Sequence, residues 1–267
     1  MTSVGAAPGV GPLLRDWRRR RRLSQLELAL EAGVSARHVS FVETGRSRPS
    51  PEMVLQLAEH LEVPLRERNQ LLLAAGYAPQ YGEHSLDDPE MEPVRGAIQR
   101  VLDAHSPFPA VVVDRAWEMI AANASVPLLI ADVAPHLMEP PVNVLRVSLH
   151  PEGMAPRIIN LAEWRAHLLE RLQRQIVATA DADLRSLYEE VSSYPGPRAA
   201  PAAGLAGQIA VPLRLRAGDR ELAFISTVAT FGTAVDITVA ELAIESFFPL
   251  DEGTAEAVRE AAGATGG

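Results

Sequence analysis

Residues 24–51 constrain the fold of this chain more than any other segment, because they specify two short helices with a tight turn between them. Glu27 follows Ser24 by three positions, a spacing that predicts a capping box at the start of the first helix. Gly33 stands where that helix must end, since glycine adopts the left-handed conformation of a C-terminal cap at little cost. The predicted apolar face of this helix consists of Leu26, Ala29 and Leu30.

The second helix of the segment is predicted to begin after Ser35, a favourable N-cap residue, with Val39 and Val42 on its buried side. In a helix-turn-helix the second helix enters the major groove of DNA, and its first residues contact base edges. Arg37 can form two hydrogen bonds to a guanine, so we predict that this helix reads duplex DNA. The residues predicted to contact DNA are Gln25, Ser35, Ala36, Arg37, His38, Ser40, Arg46 and Arg48.

The predicted contacts differ in kind. Gln25, Arg46 and Arg48 are assigned to the phosphate backbone, which positions a protein on DNA, whereas Arg37 is assigned to a base. The alternative is an ordinary pair of amphipathic helices on which Arg37 is a solvated surface residue. The five arginines at 18–22 also have two interpretations, phosphate contact or a solvated face.

Residues 13–77 resemble the phage-repressor-like, Xre-type DNA-binding domain. The resemblance rests on the sequences LSQLELALEAGVS, ETGRSRPS and MVLQLAEHLEVP and on their spacing. It implies an N-terminal bundle of five helices of the λ-repressor-like type, with double-stranded DNA as the partner. Phe41 stands where many members carry a polar residue, so we assign it no base contact.

The formal charge of −9 is divided unevenly along the chain. Residues 1–80 hold 11 arginines against 8 acidic residues, and residues 81–267 hold 14 against 26. The acidic part repels the DNA backbone and is therefore expected to have another role. The predicted organisation is a DNA-binding domain at 1–80, a linker at 81–92, a second domain at 93–251 and a flexible tail at 252–267.

Composition excludes several classes of protein. The chain has 267 residues, of which 47% are hydrophobic, enough for two ordinary soluble domains. It has no apolar run of about 18 residues and no secretory signal pattern, so we expect a cytoplasmic protein without a membrane partner. The absence of cysteine excludes disulfides, thiolate metal sites and cysteine nucleophiles.

The second domain is predicted to be mixed α and β, which makes the chain α+β as a whole. Short apolar runs predict a strand pair at 111–113 and 117–120, and leucines at helical spacing predict a helix over 161–177. This order of elements is typical of a PAS-like α/β sensor domain. Further strands are predicted at 209–215 and 222–228, with 235–239 as another candidate.

The second domain is also similar to the ligand-binding domain of the MmyB-like actinobacterial regulators, which follows an Xre-type domain in this order. The similarity rests on VVDRAWEMIAAN, NVLRVSLHPEG, LAEWRAHLLERL, STVATFGTAVDITVAEL and IESFFP. It implies a PAS-like pocket that holds a fatty acid or another long apolar carboxylate. The chain is then a ligand-responsive transcription regulator.

A site for such a ligand needs apolar walls and one polar handle, because each methylene removed from water contributes about 0.8 kcal/mol. Arg146 is predicted to bind the carboxylate, with Arg157 and Asn160 in reserve. The alternatives are ordinary core packing for the aromatic residues and a structural salt bridge for Arg146. The predicted ligand-binding residues are Trp117, Asn143, Arg146, His150, Trp164, Leu168, Phe224 and Phe231, with Leu145 as a further wall residue.

The sequence contains no glycine-rich phosphate loop, nucleophile elbow or paired-histidine zinc helix. We therefore predict no catalytic residue, no metal site and no cofactor beyond a bound fatty acid. The alternatives for the second domain are a protein-interaction or dimerisation module, or a site for a flavin- or haem-type cofactor. A homodimer is expected on DNA, with two half-sites about one helical turn apart.

Overall fold

The computed structural model describes residues 9–197 and 211–265, which form two units. The first unit contains the described residues up to His84 together with Thr233–Ala240. The second unit contains the other described residues. A helical N-terminal unit followed by mixed α and β confirms the fold class predicted from the sequence.

Five helices build most of the first unit, and caps fix where they begin and end. Ser24 and Glu27 form the predicted capping box, and Gly33 has a φ of +64° beyond the end of that helix. The hydroxyl of Ser50 accepts a hydrogen bond at the start of the fourth helix. The helices are α1 (Val10–Arg20), α2 (Gln25–Glu31), α3 (Ala36–Glu43), α4 (Pro51–His60) and α5 (Leu65–Ala74).

The buried side of α2 differs from the predicted one. Leu28 and Ala29 are buried, whereas Leu26 and Leu30 are 60% and 73% exposed. The prediction was therefore wrong for Leu26 and Leu30. Three leucines and an alanine in seven residues allow more than one apolar stripe, and only packing against α3 and α4 selects one of them.

A buried ion pair joins α1 to α3. The Nε and Nη2 atoms of Arg18 donate to the two carboxylate oxygens of Glu43 at 2.6 and 2.9 Å. Gln25 of α2 donates to the same carboxylate at 2.8 Å, and Arg15 lies 3.6 Å from it. Burial raises the pKa of Glu43, but the hydrogen bonds from Arg18 and Gln25 outweigh it and hold that pKa below its ordinary value. Three helices thus meet at one carboxylate.

The first unit is completed by a segment from late in the sequence, Thr233–Ala240. The backbone N–H of Ile237 donates to the carbonyl oxygen of Gly82 at 2.8 Å. The carboxylate of Asp236 accepts from the backbone N–H of His84 at 3.3 Å and lies 2.8 Å from the Nδ1 atom of its ring. The short helix α10 (Ile237–Ala240) lies in this segment.

The second unit is built on an antiparallel sheet with the strand order β2-β1-β5-β4-β3. The strands are β1 (Ala110–Val113), β2 (Met119–Ala122), β3 (Leu213–Ala217), β4 (Arg220–Thr230) and β5 (Ala243–Pro249). The helices of this unit are α6 (Glu92–His105), α7 (Val144–Leu149), α8 (Leu161–Thr179), α9 (Ala182–Ser193) and α11 (Glu252–Thr265).

The sheet buries both of its faces, because successive side chains of a strand point to opposite sides. Ala110 and Val112 of β1 pack in a cluster with apolar residues of α6. Val111 and Val113 belong to the larger core, which includes side chains of α7, α8 and α9. The larger core contains the cavity described below.

Residues 235–239 are not a strand, contrary to the sequence prediction. Asp236 Oδ1 accepts a hydrogen bond from the backbone N–H of Val239 at 3.3 Å, so an aspartate cap turns this β-branched run into a helical turn. The strand that the sequence analysis missed is β5, which lies between β1 and β4. Ile209, the predicted start of the strand over 209–215, lies outside the described residues.

The tail over 252–267 was expected to be flexible, but Glu252–Thr265 is the helix α11. Ala255 and Val258 of this helix are buried. The hydroxyl of Thr254 accepts a hydrogen bond from the backbone N–H of Ala223 in β4 at 3.0 Å. An alanine-rich composition concealed an amphipathic helix that covers the sheet.

Replacing Arg18 by Ala is expected to lower the free energy of unfolding of the first unit by about 3–5 kcal/mol, because it leaves the buried Glu43 carboxylate without its main partner. Urea denaturation of the full chain, followed by far-UV circular dichroism, measures this loss. Arg19→Ala is the matched control, since Arg19 is exposed on the same helix. Equal stability of the two variants would contradict the role of the pair.

The stability of the first unit is expected to fall in acid through Glu43. Because the folded-state pKa of Glu43 is lowered, its contribution is complete above its ordinary value of 4.5 and is lost as the pH falls through the lower folded pKa. Urea denaturation at several pH values between 3 and 7 measures this dependence. Glu43→Gln should be less stable near neutral pH and should lose less stability on acidification, and an unchanged slope would refute the assignment.

Candidate nucleic-acid interface and ligand cavity

The first turn of α3 is the surface predicted to read DNA. The hydroxyl of Ser35 accepts a hydrogen bond from the backbone N–H of His38 at 3.1 Å, which fixes the start of the helix. The two valines predicted on its inner side are buried. Arg37 is exposed, and Ala36, His38 and Ser40 are half-buried. These residues therefore lie together on the outer side of α3, as a helix that enters the major groove requires.

Phe41 lies between two of the predicted DNA-binding arginines. The guanidinium carbon of Arg37 lies 5.1 Å from the centre of the ring, and that of Arg46 lies 6.0 Å from it. Both distances suit cation–π contacts. Among the described residues no carboxylate pairs with Arg37 or Arg46, so their charge remains available to DNA. Phe41, to which the sequence assigned no contact, is thus a platform that orders these two arginines.

Two other residues that were predicted to contact DNA form hydrogen bonds within the first unit. Gln25 donates to Glu43, as described above. The Nη2 atom of Arg48 donates to the carbonyl oxygen of Ala75 at 3.0 Å, and its guanidinium lies 5.2 Å from the ring centre of Tyr77. Gln25 therefore holds α2 to α3, and Arg48 holds the loop after α3 to the end of α5. A phosphate contact by either residue stays a prediction.

The larger core of the second unit contains a cavity of about 70 Å³. Its walls come from β1, β3, β5, α7 and α8 and from the chain that follows β2. The lining is apolar except for Ser148 and Glu245. Three methionines contribute flexible side chains to the wall: Met119, Met138 and Met154.

Two of the six predicted wall residues, Phe224 and Phe231, belong to ordinary core packing instead. Phe224 is fully buried outside the cavity lining, with its ring 6.5 Å from that of Phe247. Phe231 packs against the cluster on the α6 face of the sheet. Hydrophobicity alone cannot separate a cavity wall from a solid core, since both are apolar. The predicted residues that do line the cavity are Trp117, Leu145, Trp164 and Leu168.

The predicted carboxylate handle lies outside the cavity. The Nε and Nη2 atoms of Arg146 both donate to Glu190, each at 2.8 Å, which is the structural salt bridge considered as the alternative. The hydrogen bond from Arg146 lowers the pKa of Glu190, and burial together with a hydrogen bond to Glu190 raises the pKa of Tyr194 to about 12. The amide of Asn143 caps α7. The other predicted member, His150, packs edge-on against Tyr194.

Arg157 and Asn160, the alternative residues predicted to bind the carboxylate, also form structural hydrogen bonds. The Nη1 atom of Arg157 donates to the carbonyl oxygens of Leu129 and Ala131 at 2.9 and 2.8 Å. Asn160 donates to the carbonyl oxygen of Pro212 at 2.8 Å. These side chains join loops of the second unit, and neither of them lines the cavity.

The charged residue that does line the cavity is Glu245, which the sequence analysis missed. It lies on β5, is 5% exposed and accepts a hydrogen bond from Arg171 at 3.0 Å. Arg171 stacks over Trp117, with its guanidinium 4.5 Å from the ring centre. A single acidic residue within the apolar run of IESFFP was the signal in the sequence.

Trp117 adopts an unusual backbone conformation at the edge of the cavity, with a φ of +66°. Asp114 holds this turn, because its Oδ1 atom accepts from the backbone N–H groups of Ala116 and Glu118, both at 2.9 Å. The indole N–H of Trp117 donates to Gln175 at 2.8 Å. The predicted strand over 117–120 therefore begins later, at Met119, and the turn before it places the indole in the cavity wall.

Histidines that are distant in the sequence meet on the surface of the second unit. The potential ligand atoms of His136, His150 and Glu152 all lie within 4.8 Å of one another. The rings of His136 and His150 pack edge-on, and the Nδ1 atom of His150 accepts from the backbone N–H of Glu152 at 3.1 Å. Packing and a local hydrogen bond account for the cluster.

The described part of the chain has no helix that is both long and apolar enough to cross a bilayer. Residues 94–261, more than half of the chain, match the family model of the MmyB-like transcription regulator ligand binding domain. Residues 14–68 match a helix-turn-helix family model.

A curated relative is the uncharacterized HTH-type transcriptional regulator RghRB of Bacillus subtilis (strain 168). It is 36% identical over 74 residues, which make up 27% of this chain and 51% of that protein. The match thus spans about half the length of the relative. A solved structure, a SinR protein/SinI protein complex, is 25% identical over 35% of this chain and 82% of that chain, with a TM-score of 0.22.

Replacing Arg37 by Ala is expected to relax base preference at one position of the binding site, since its guanidinium is predicted to contact a base edge. Replacing Arg46 by Ala should weaken binding to all sequences alike, because its predicted contact is with phosphate. Affinities for a selected site and its single-base variants, measured at one salt concentration, test both expectations. Phe41→Tyr retains the ring and serves as the control. An Arg37→Ala variant with the full wild-type preference would contradict the assignment.

Proposed function

Because the chain belongs to the family of MmyB-like transcription regulators, we propose that its second unit binds a small molecule with a long apolar chain and thereby changes how the first unit binds DNA. The helix-turn-helix and the MmyB-like ligand-binding domain are both present in this regulator. The proposal adds the chemical class of the ligand and its effect on DNA binding.

The apolar cavity in the second unit carries the proposal. A ligand site usually combines an apolar lining with a few polar groups, and this cavity has two tryptophans, aliphatic side chains and only two polar residues. Its location in the middle of the larger core supports the same interpretation, since a protein interior is normally packed without voids.

A long chain enters this cavity only if the walls move. The cavity volume of about 70 Å³ is less than half of the roughly 150 Å³ of an engineered cavity that holds benzene. Met119, Met138 and Met154 offer unbranched side chains that adapt to different shapes. Ligand binding therefore selects a conformation that differs from the one described, which is the requirement for an effector.

The resemblance to MmyB-like regulators implied a fatty acid or a similar carboxylate. The lining supports the alkyl chain of such a ligand. It does not support the carboxylate, because Arg146 is engaged with Glu190 and the charged side chain at the cavity is itself an acid, Glu245. The cavity therefore supports the apolar chain of such a ligand but not a carboxylate head group.

The remaining parts of the proposal concern assembly and location. A helix-turn-helix that binds as a homodimer contacts two half-sites about one helical turn apart, so we place this regulator on a pseudo-palindromic site in the cytoplasm. Sedimentation of the full chain with and without DNA distinguishes a dimer from a monomer. Monomers that bind DNA at full affinity would contradict the homodimer.

Replacing Leu168 by Trp is expected to fill the cavity, to abolish ligand binding and to remove the effect of ligand on DNA affinity, while DNA binding itself persists. Organic extraction of the purified full chain followed by mass spectrometry identifies co-purified apolar molecules, and fluorescence anisotropy with a labelled site measures the effect. Val177→Trp is the matched control, because Val177 lies on the same helix and is 60% exposed.

A thermal melt establishes that both tryptophan variants are folded, since overpacking a core costs about 1–3 kcal/mol. If the wild-type chain carries no apolar molecule under several conditions and binds none that is added, the second unit is better explained as an interaction module. If Leu168→Trp binds ligand as the wild type does, the cavity is not the site.

A further inference from the structure

Glu245 is a buried acid in the wall of an otherwise apolar cavity. It lies on β5, pairs across the sheet with Val111 of β1 and is 5% exposed. Moving a carboxylate from water into an apolar site is costly unless hydrogen bonds compensate. A residue of this kind is therefore a strong constraint on what else the cavity can hold.

The hydrogen bonds of Glu245 are incomplete. Its Oε2 atom accepts from the Nη1 atom of Arg171 at 3.0 Å. Its Oε1 atom accepts no hydrogen bond from the residues that the structure describes. An ionised carboxylate has about four acceptor positions, so this side chain retains acceptor capacity at the cavity wall.

Arg171 is already engaged on two sides. Its guanidinium stacks over Trp117 and bonds to Glu245, so its charge is balanced by an acid within the protein. A ligand carboxylate in the cavity would lie near Glu245 without a free cation, and like charges at short distance repel strongly in a buried site.

The indole N–H groups of the cavity wall already donate hydrogen bonds within the protein. The indole N–H of Trp117 donates to Gln175 at 2.8 Å, and that of Trp164 donates to Ser148 at 3.0 Å. Neither indole N–H is available to an anionic ligand. The hydroxyl of Ser148 accepts the second of these bonds and retains one O–H donor, whereas Glu245 contributes two carboxylate oxygens, so acceptor positions outnumber donors at the wall.

We propose that Glu245 selects a ligand whose polar end is a neutral hydrogen-bond donor, a hydroxyl or an amide N–H, on a long apolar chain. Such a group completes the hydrogen bonds of the carboxylate without adding charge to the Arg171 pair. A fatty acid of the same length is disfavoured. This inference rests on the proposed function of the cavity and assigns the chemistry of the ligand's head group.

Calorimetric titration of the full chain with decan-1-ol and with decanoate tests the inference, since the two probes share their chain length and differ at the head group. The wild type should bind decan-1-ol at least about tenfold more tightly, because a hydrogen bond to a charged acceptor contributes on this scale. Glu245→Gln should reduce this preference by about tenfold or reverse it, because the amide no longer repels a carboxylate and can donate to it.

Glu190→Gln is the matched control, since it makes the same change in an ion pair outside the cavity and should leave the preference as in the wild type. Decanoate that binds the wild type as tightly as decan-1-ol would overturn the inference and leave the cavity's function intact. A preference that survives in Glu245→Gln would remove Glu245 as its source. Binding of neither probe would overturn the proposed function and this inference together.

Discussion

The first unit depends on one buried carboxylate. Glu43 ends α3 and is bonded by Arg18 of α1 and Gln25 of α2, so three helices are fixed relative to one another at a single point. If either Arg18 or Glu43 is removed, the other is left as an uncompensated buried charge. The ion pair therefore affects the free energy of unfolding more than its two hydrogen bonds alone would. The C-terminal end of α3 is thereby held in the core, and its first turn is free to meet DNA.

In the second unit the corresponding constraint is β5. This strand lies between β1 and β4, and it contributes Glu245 and Phe247 to the cavity wall. The chain enters β5 directly from Thr233–Ala240, the segment that belongs to the first unit. Strand β5 therefore joins the cavity wall to the DNA-binding unit through the covalent chain, and under the proposed function a change at this wall acts on that strand.

Helix caps and apolar periodicity in the sequence predicted secondary-structure elements well. The roles of individual charged side chains depended instead on partners that are distant in the sequence. The capping box at Ser24 and the periodicity of α8 depend on neighbours in the sequence, and both were found from it. The roles of Arg18 and Arg146 depend on Glu43 and Glu190, which lie 25 and 44 positions away. Sequence spacing carries no information about such partners, so the sequence alone could not decide between a structural role and a DNA contact for Arg18, or between an ion pair and a ligand contact for Arg146.

The small volume of the cavity favours a sensor over a carrier. A carrier needs a preformed space of the size of its ligand, and such pockets usually measure several hundred Å³. Here the cavity measures about 70 Å³, so the proposed long-chain ligand requires an expanded state of its walls. The work of expansion weakens binding in proportion to the rarity of that state. In the proposed function the same work couples occupancy to conformation, and this coupling is the means by which a ligand would change DNA binding.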